Sequence, residues 1–489
     1  MNPLRPLNSL TRRIAVSGLL LVAFAVSAFA GDWRQWRGPI ATGEAPSGDP
    51  PAQWSEDKNV KWKVPIDGRG SATPIIVDDK VFVLTAVPVE GATPAGETAP
   101  ARPAAATTPD APPADAPRVA QERGDDGPPR RTEGRGRRGP GGREGRGGRG
   151  GFGGGPPVQV QKFTVICLDR SSGKVLWSKI AREQLPHEGH HRTGSFASAS
   201  PASDGKHLFV SFGSQGIYCY DLDGNLKWDT DLGDMNITNR FGEGCSPTVY
   251  RNNLIVKWDH EGDSFLAVLD TENGQVRWKK NRDERTSWST PIVVEQDGKP
   301  IIVTSASGKT QAYDFASGDV VWEAGSLTSN VISSPVSADG MVFVMSGHRG
   351  SKLEAIRLGK TGNLAGTDAV AWSLDEATPY VPSPLLYQGR LYFSQSNESR
   401  LSCVDAATGK LHFREWIEGL GNVYASPVAA AGRIYMMDRE GHCAVLQAGD
   451  TLEILATNSL DDAFDASPAI AGDEIFLRGA KHLYCIATQ

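Results

Sequence analysis

The sequence predicts an all-β protein whose main part is one eight-bladed β-propeller of four-stranded antiparallel blades, and three recurring features carry that reading. A Ser-Pro or Thr-Pro dipeptide returns eight times, with its proline at Pro74, Pro201, Pro247, Pro291, Pro335, Pro384, Pro427 and Pro468. A turn beginning with Asp and ending in Gly recurs later in the units, and an aromatic residue stands four positions beyond that glycine.

The later proline intervals are 46, 44, 44, 49, 43 and 41 residues, the period of propeller blades. The first interval, 127 residues, contains a stretch of different composition, and without it falls into the same range. Each dipeptide opens a short apolar run, followed by a second, as in Ser334-Pro335-Val336-Ser337 and then Met341 to Met345. Alternating runs of this length bounded by Gly and Asp read as strands.

The third strand ends in Asp169 to Gly173, Asp221 to Gly224, Asp270 to Gly274, Asp314 to Gly318 and Asp405 to Gly409. Asp caps such a turn and Gly supplies the positive φ it needs. The fourth strand then places Trp177, Trp228, Trp278, Trp322 or Phe413, with Trp372 equivalent. One ring per repeat at one fixed place is a packing element, so these residues, with Trp62, are expected to wedge between blades.

The unit from Pro468 to Ile486 stops before a fourth strand, whereas Asn59 to Val64 is a fourth strand without its first three. Pairing the chain ends closes the ring and removes the exposed sheet edges of an open array.

Residues 1–30 carry Arg5, Arg12, Arg13 and no acid, then an apolar run ending Ala28-Phe29-Ala30, and read as a signal peptide cleaved before Gly31. The apolar run is shorter than a membrane span and interrupted by Ser17, Gly18 and Ser27, so no transmembrane anchor is expected after cleavage. Removing those three cations takes the formal net charge from -6 to -9, which excludes nucleic acid as a general partner. The propeller is thus assigned to residues 31–489 of an exported, periplasmic or secreted monomer.

An insertion over residues 88–157 interrupts the first blade. It is rich first in Pro, Ala and Thr, then in Arg and Gly, with ten arginines against five acids between Arg118 and Gly150. Such a composition cannot bury a core and reads as disordered.

The Ser-Pro start, the Asp-x-x-Thr-Gly turn and the following Trp resemble the pyrroloquinoline-quinone (PQQ) repeat, over essentially the whole of 31–489. The opening Asp32-Trp33-Arg34-Gln35-Trp36-Arg37-Gly38-Pro39 looks like the start of many exported proteins of that repeat type. The resemblance implies the quinoprotein alcohol dehydrogenase-like superfamily, whose members range from quinone enzymes to BamB-like scaffolds without a cofactor. The dehydrogenases hold the quinone against a disulfide of two adjacent cysteines and bind calcium with Glu, Asn and Asp.

None of Cys167, Cys219, Cys245, Cys403, Cys443 and Cys485 is adjacent to another, and Cys-x-x-Cys-His is absent. Cys167, Cys219, Cys403 and Cys485 fall at one place in the third strand, where Ala312 and Ala355 stand in other units, and are expected to be free and buried. No hydrolase elbow, phosphate loop or zinc-protease motif appears. No catalytic residue and no cofactor are therefore expected, PQQ and calcium being what the dehydrogenase branch would require. His187, His190 and His191 form the richest metal-like cluster, with a spacing that fits no recognised motif. Asp259 to Asp263 reads as an acidic hairpin turn.

Propellers bind where the loops entering the innermost strands converge. Here those loops carry Arg69, His191, Arg192, Arg240, Glu243, Trp288, Tyr380, Tyr424 and Asp465, a varied set suited to an envelope protein, peptide or glycan. A non-catalytic binding or scaffold role is expected, with a divergent quinoprotein or other redox enzyme as the alternative.

Overall fold

The computed structural model describes residues 31–90, 154–325 and 327–489. The expected signal segment 1–30 and residues 91–153 of the expected insertion lie outside the described residues.

Eight antiparallel sheets stand around a common channel. We number them as blades 1 to 8 and letter their strands a to d outward from the channel. In blade 1 these are Ile75–Val77, Lys80–Pro88, Gln161–Asp169 and Val175–Gln184, so the segment outside the description joins strands b and c. Blades 2 to 7 occupy 202–230, 248–281, 292–324, 336–374, 385–416 and 428–459. Blade 8 takes strands a to c from Ala469–Ala471, Glu474–Arg478 and His482–Ile486, and its outer strand, Val60–Pro65, from the other end of the chain. Val64 pairs with Leu483 and Trp62 with Cys485, so the ring closes as the half-units predict.

The core lies between blades. Phe82, Leu84, Val165 and Cys167 of blade 1 pack on Leu208, Val210, Tyr218 and Tyr220 of blade 2, and the same scheme repeats around the ring. Strands a of blades 1, 2, 6, 7 and 8 are buried throughout and those of blades 3 to 5 only in part, whereas strands d of blades 1 and 2 expose most of their residues. Each side chain is therefore selected by depth as well as by period.

The recurrent Trp spans the joint between blades. Its indole N–H donates to a backbone carbonyl in the c–d turn of the next blade: Trp62 to Arg170, Trp177 to Leu222, Trp228 to Thr271, Trp278 to Phe315 and Trp372 to Ala406, all at 2.9–3.1 Å. The turn glycine makes the approach possible, since a Cβ on Gly173 (φ 71°) would stand 2.7 Å from the Trp62 ring. Cys167, Cys219, Cys403 and Cys485 stand opposite Trp177, Trp228, Phe413 and Trp62 on the neighbouring strand, buried and free. A small residue there lets the strand b aromatic meet the strand d ring, as Phe82 meets Trp177 at 5.9 Å.

Blade 4 departs from the four-stranded plan. The c–d turn of blade 5 is a long excursion in place of the Asp-x-x-x-Gly form, and its Gly362–Asn363 pairs parallel with Trp322 and Glu323 as a fifth strand. This excursion lies in the 49-residue interval of the repeat. Trp322 consequently has no turn carbonyl to reach. Its N–H donates to Gln296 Oε1 (3.2 Å), and Gln296 Nε2 donates to the Lys360 carbonyl (3.2 Å), so a side-chain amide relays the missing contact.

Candidate functional site

The Ser or Thr of each dipeptide lies at the start of strand a, facing the channel. The backbone N–H of one donates to the hydroxyl oxygen of its neighbour in the next blade: Thr73 to Ser200, Ser200 to Ser246, Ser246 to Thr290, Thr290 to Ser334, Ser334 to Ser383, Ser383 to Ser426 and Ser426 to Ser467, at 2.9–3.2 Å. The eighth link is open. Thr73 is buried, and its hydroxyl has no partner among the described residues, so the one seam in the ring falls where blade 8 meets blade 1. Proline follows because its missing N–H leaves nothing unpaired on the channel wall.

The N-terminal segment closes one end of the channel. Trp33 pairs with Ile76 of blade 1 and Arg34 O accepts from Ser203 of blade 2. Trp36 Nε1 then reaches Ser334 Oγ (3.2 Å), and Arg37 passes inward to the carbonyls of Pro427 (2.8 Å) and Pro384 (2.7 Å). Arg37 is 2% exposed and meets no carboxylate. Burial lowers its pKa to about 9, which leaves it charged at neutral pH. Gly43 has no side chain because the Arg37 guanidinium occupies that space. The segment that the sequence marks only as a likeness is thus a stopper.

The opposite end is open. A cavity of about 370 Å³ lies there, with the seven linked hydroxyls and the Trp36 ring among its lining groups and Phe241, Trp288, Tyr380 and Tyr424 among its walls. That volume suits a small ligand or the end of a chain. Of the nine residues predicted for the mouth, His191, Glu243, Trp288, Tyr380, Tyr424 and Asp465 line this cavity, whereas Arg69, Arg192 and Arg240 are exposed beyond it. Arg69 donates to the Arg192 carbonyl, and among the described residues none of these three arginines has an ion-pair partner.

The titratable groups that line the cavity each have a neighbouring partner. Glu243 accepts from the Ser214 hydroxyl (2.5 Å) and backbone N–H (2.7 Å), and burial pushes its pKa up to about 7. Asp465 takes the Arg439 guanidinium in two contacts, and that guanidinium lies 4.3 Å from the centre of the Tyr424 ring. Tyr380 stacks on His348 at 4.6 Å. His191 Nδ1 pairs with the Thr193 hydroxyl (2.7 Å), and burial lowers its pKa.

The three histidines go separate ways. His187 donates to the Met235 carbonyl and His190 to the His191 carbonyl, so their rings are aimed at backbone. Among the described residues no group of three or more His, Cys, Asp or Glu is arranged to hold a metal.

Asp259 does not sit in an ordinary turn. It is fully buried between Arg282 (2.8 Å) and Lys257 (3.4 Å), both equally buried. Burial would raise its pKa, but Arg282 and then Lys257 outweigh that and hold it below the usual carboxylate range. Lys257 Nζ also donates to Ser287 and Ser289, and Arg282 to Thr304 and Tyr313, which satisfies the network. Cys245 borders this network beside a small side pocket, and burial pushes its thiol up to about 11, away from a reactive thiolate. The sequence signal for the network was a Lys inside the apolar strand Asn253–Trp258, at a buried position.

The residues do not fit the quinone group as the dehydrogenase branch holds it. The six cysteines are all free, and Cys245, the one beside the cavity, has no neighbouring thiol to form a disulfide. The two cavity carboxylates are each taken up by other side chains.

A family model described as outer membrane protein assembly factor BamB matches residues 161–412 and 362–486. No curated protein sequence matches the chain. Among solved structures, BamB from Moraxella catarrhalis is similar at 13% identity and a TM-score of 0.48, over 67% of this chain and 89% of that one. The computationally designed Ika8 protein is similar at 12% identity and a TM-score of 0.48, over 69% of this chain and 98% of that one.

Proposed function

This chain belongs to the PQQ-repeat β-propeller family described as outer membrane protein assembly factor BamB, and from that premise we propose that it is an exported, non-catalytic binding protein of the cell envelope. It acts as a monomer and holds a protein, peptide or glycan partner at the mouth formed by the loops that enter strands a. Fold alone does not assign this role, since the same propeller hosts unrelated functions.

The observation that carries the reading is the state of the groups at the mouth. Glu243 is engaged by Ser214, Asp465 by Arg439 and His191 by Thr193, so the titratable groups that line the cavity are taken up by neighbouring side chains. What remains presented to a partner is a concave wall of aromatic rings closed at its far end, which suits recognition. Among the described residues no helix is long and apolar enough to cross a membrane.

Two measurements test this. Calorimetry and absorbance with pyrroloquinoline quinone, with and without calcium, should show no stoichiometric binding; calcium-dependent binding of one quinone per chain would replace the scaffold reading with a redox enzyme. A photo-crosslinker at Thr193, on the mouth, should capture an envelope partner that the same probe at Asp223, in a c–d turn on the other face, does not.

A further inference from the structure

The hydroxyl ring is a set of unspent donors. Every one of its seven linked hydroxyls accepts a backbone N–H, and none donates to an acceptor among the described residues. Ser334 is the extreme case: it accepts from both Thr290 N and Trp36 Nε1, so its lone pairs are filled and only its O–H is left. All seven side chains are buried and line the cavity. Such donors need an acceptor, which water or a ligand entering the cavity can supply.

Cations lie both behind this floor and beyond the opening. Behind it lies the Arg37 guanidinium, 6.0 Å from the Trp36 ring that lines the cavity and bonded only to carbonyls. Of the cavity's own carboxylates, Asp465 is paired with the Arg439 guanidinium, and Glu243, which accepts from Ser214, has its pKa pushed up to about 7 by burial. Beyond the opening stand Arg69, Arg192 and Arg240 without ion-pair partners among the described residues.

The shape restricts how a ligand enters. Trp36 and Arg37 stop the channel, so a chain cannot thread through and can be taken only by an end or a side group. Trp288, Tyr380 and Phe241 then offer apolar wall to whatever lies just above the floor.

Resting on the binding role proposed above, we propose that this blind cavity captures the C-terminal carboxylate of a peptide, with the ring hydroxyls as donors and an apolar last side chain against the aromatic wall. The carboxylate accepts several O–H donors at once, and these charge-assisted bonds are stronger than those to a neutral acceptor. Arg37 supplies long-range attraction without direct contact, and the rim arginines draw the chain end toward the opening.

The test is calorimetric titration of the purified protein with N-acetyl-Gly-Gly-Phe as free acid, as C-terminal amide, and with Ser in place of Phe. Acetate, inorganic phosphate and chitotriose are the further probes. The free acid should bind one per chain, and the amide should bind at least about tenfold more weakly, the loss expected of charge-assisted hydrogen bonds. Ending the peptide in Ser, or making Trp288→Ala, should each weaken the acid several-fold; if Trp288→Ala fails to fold, Tyr380→Leu takes its place. Arg37→Gln should narrow the acid-to-amide ratio, and should it not fold, the ratio in the unaltered protein decides.

Equal binding of acid and amide, binding of acetate or phosphate without added affinity from the peptide, or no binding of the acid would each overturn the inference. If chitotriose binds and the free acid does not, or the amide binds as tightly as the acid, and Trp288→Ala abolishes that binding, the carboxylate inference falls while the binding role stands. If no probe binds and the Thr193 crosslinker captures nothing, both fall.

Discussion

Replacing Ser383 by Ala and Thr73 by Val separates hydroxyls that work in the ring from the one that does not. The two residues occupy the same position in their blades and are equally buried, at 2% and 1% exposure. Ser383 Oγ accepts the Ser334 backbone N–H at 2.9 Å, so Ser383→Ala leaves a buried donor orphaned, at a cost of about 1–3 kcal/mol. Thr73 Oγ1 accepts nothing, and Val keeps its shape, so Thr73→Val should be neutral or stabilising by up to about 1 kcal/mol. With unfolding entropy of roughly 2.1 cal/mol/K per residue over about 400 residues, each kcal/mol moves Tm by about 1 °C. Scanning calorimetry of the two variants beside the parent protein therefore suffices. A loss of stability in Thr73→Val equal to that in Ser383→Ala would refute the open seam, and with it the account of why the repeat begins with a hydroxyl residue.

Gln296→Leu should cost about 1–3 kcal/mol, since it orphans the buried Trp322 N–H, and Trp322→Phe should be better tolerated in that background than in the parent, a coupling that a double-mutant cycle under denaturant would read. Gly409→Ala places a Cβ 2.6 Å from the Trp372 ring at a φ of 72°, so it should destabilise by more than the roughly 1–2 kcal/mol of the backbone term alone, measured by thermal unfolding. The carboxyl of Glu243, raised by burial from 4.5 to about 7, binds its proton more tightly in the folded state. Its contribution to stability is therefore full below about pH 4.5 and is lost as pH rises toward 7, on the order of 1–3 kcal/mol. Glu243→Gln, which stays neutral, should show a shallower fall in unfolding free energy across that window, and an unchanged slope would show that Glu243 is not the titrating group.

What the sequence made legible was whatever repeats. The proline period, the Asp to Gly turns and the half-units at the two ends specify eight blades and their closure because each blade solves the same packing problem. The mouth was legible to the extent that strand order fixes which loops converge: His191, Trp288 and Asp465 meet at the cavity, while Arg69, Arg192 and Arg240 extend past it, since loop length and side-chain direction are not periodic. The partner of a Ser hydroxyl lies in the adjacent blade some 41–49 residues away along most of the ring, so its role as a link between blades leaves no local trace. Nor does the spacing of Trp36 and Arg37 point to Ser334, Pro384 and Pro427, which the chain reaches only after the ring has come round. The fifth strand at Gly362–Asn363 was marked only by a long interval, and Lys257 only by its apolar neighbours.

The stopper has a bearing on how the molecule comes into being. Arg37 is among the first described residues to be synthesised, yet its carbonyl partner in blade 7 lies 390 positions later, and the mate of Val64 is Leu483. No fragment that ends short of Pro427 can make both of Arg37's channel contacts, and none that ends short of the last blade can close the ring or cover its outermost edges. Such long-range pairing is slow, because chain entropy is spent before the contacts that offset it exist. Assembly should then be all or nothing, and a truncated or stalled chain would remain recognisably unfinished to the machinery that clears incomplete proteins.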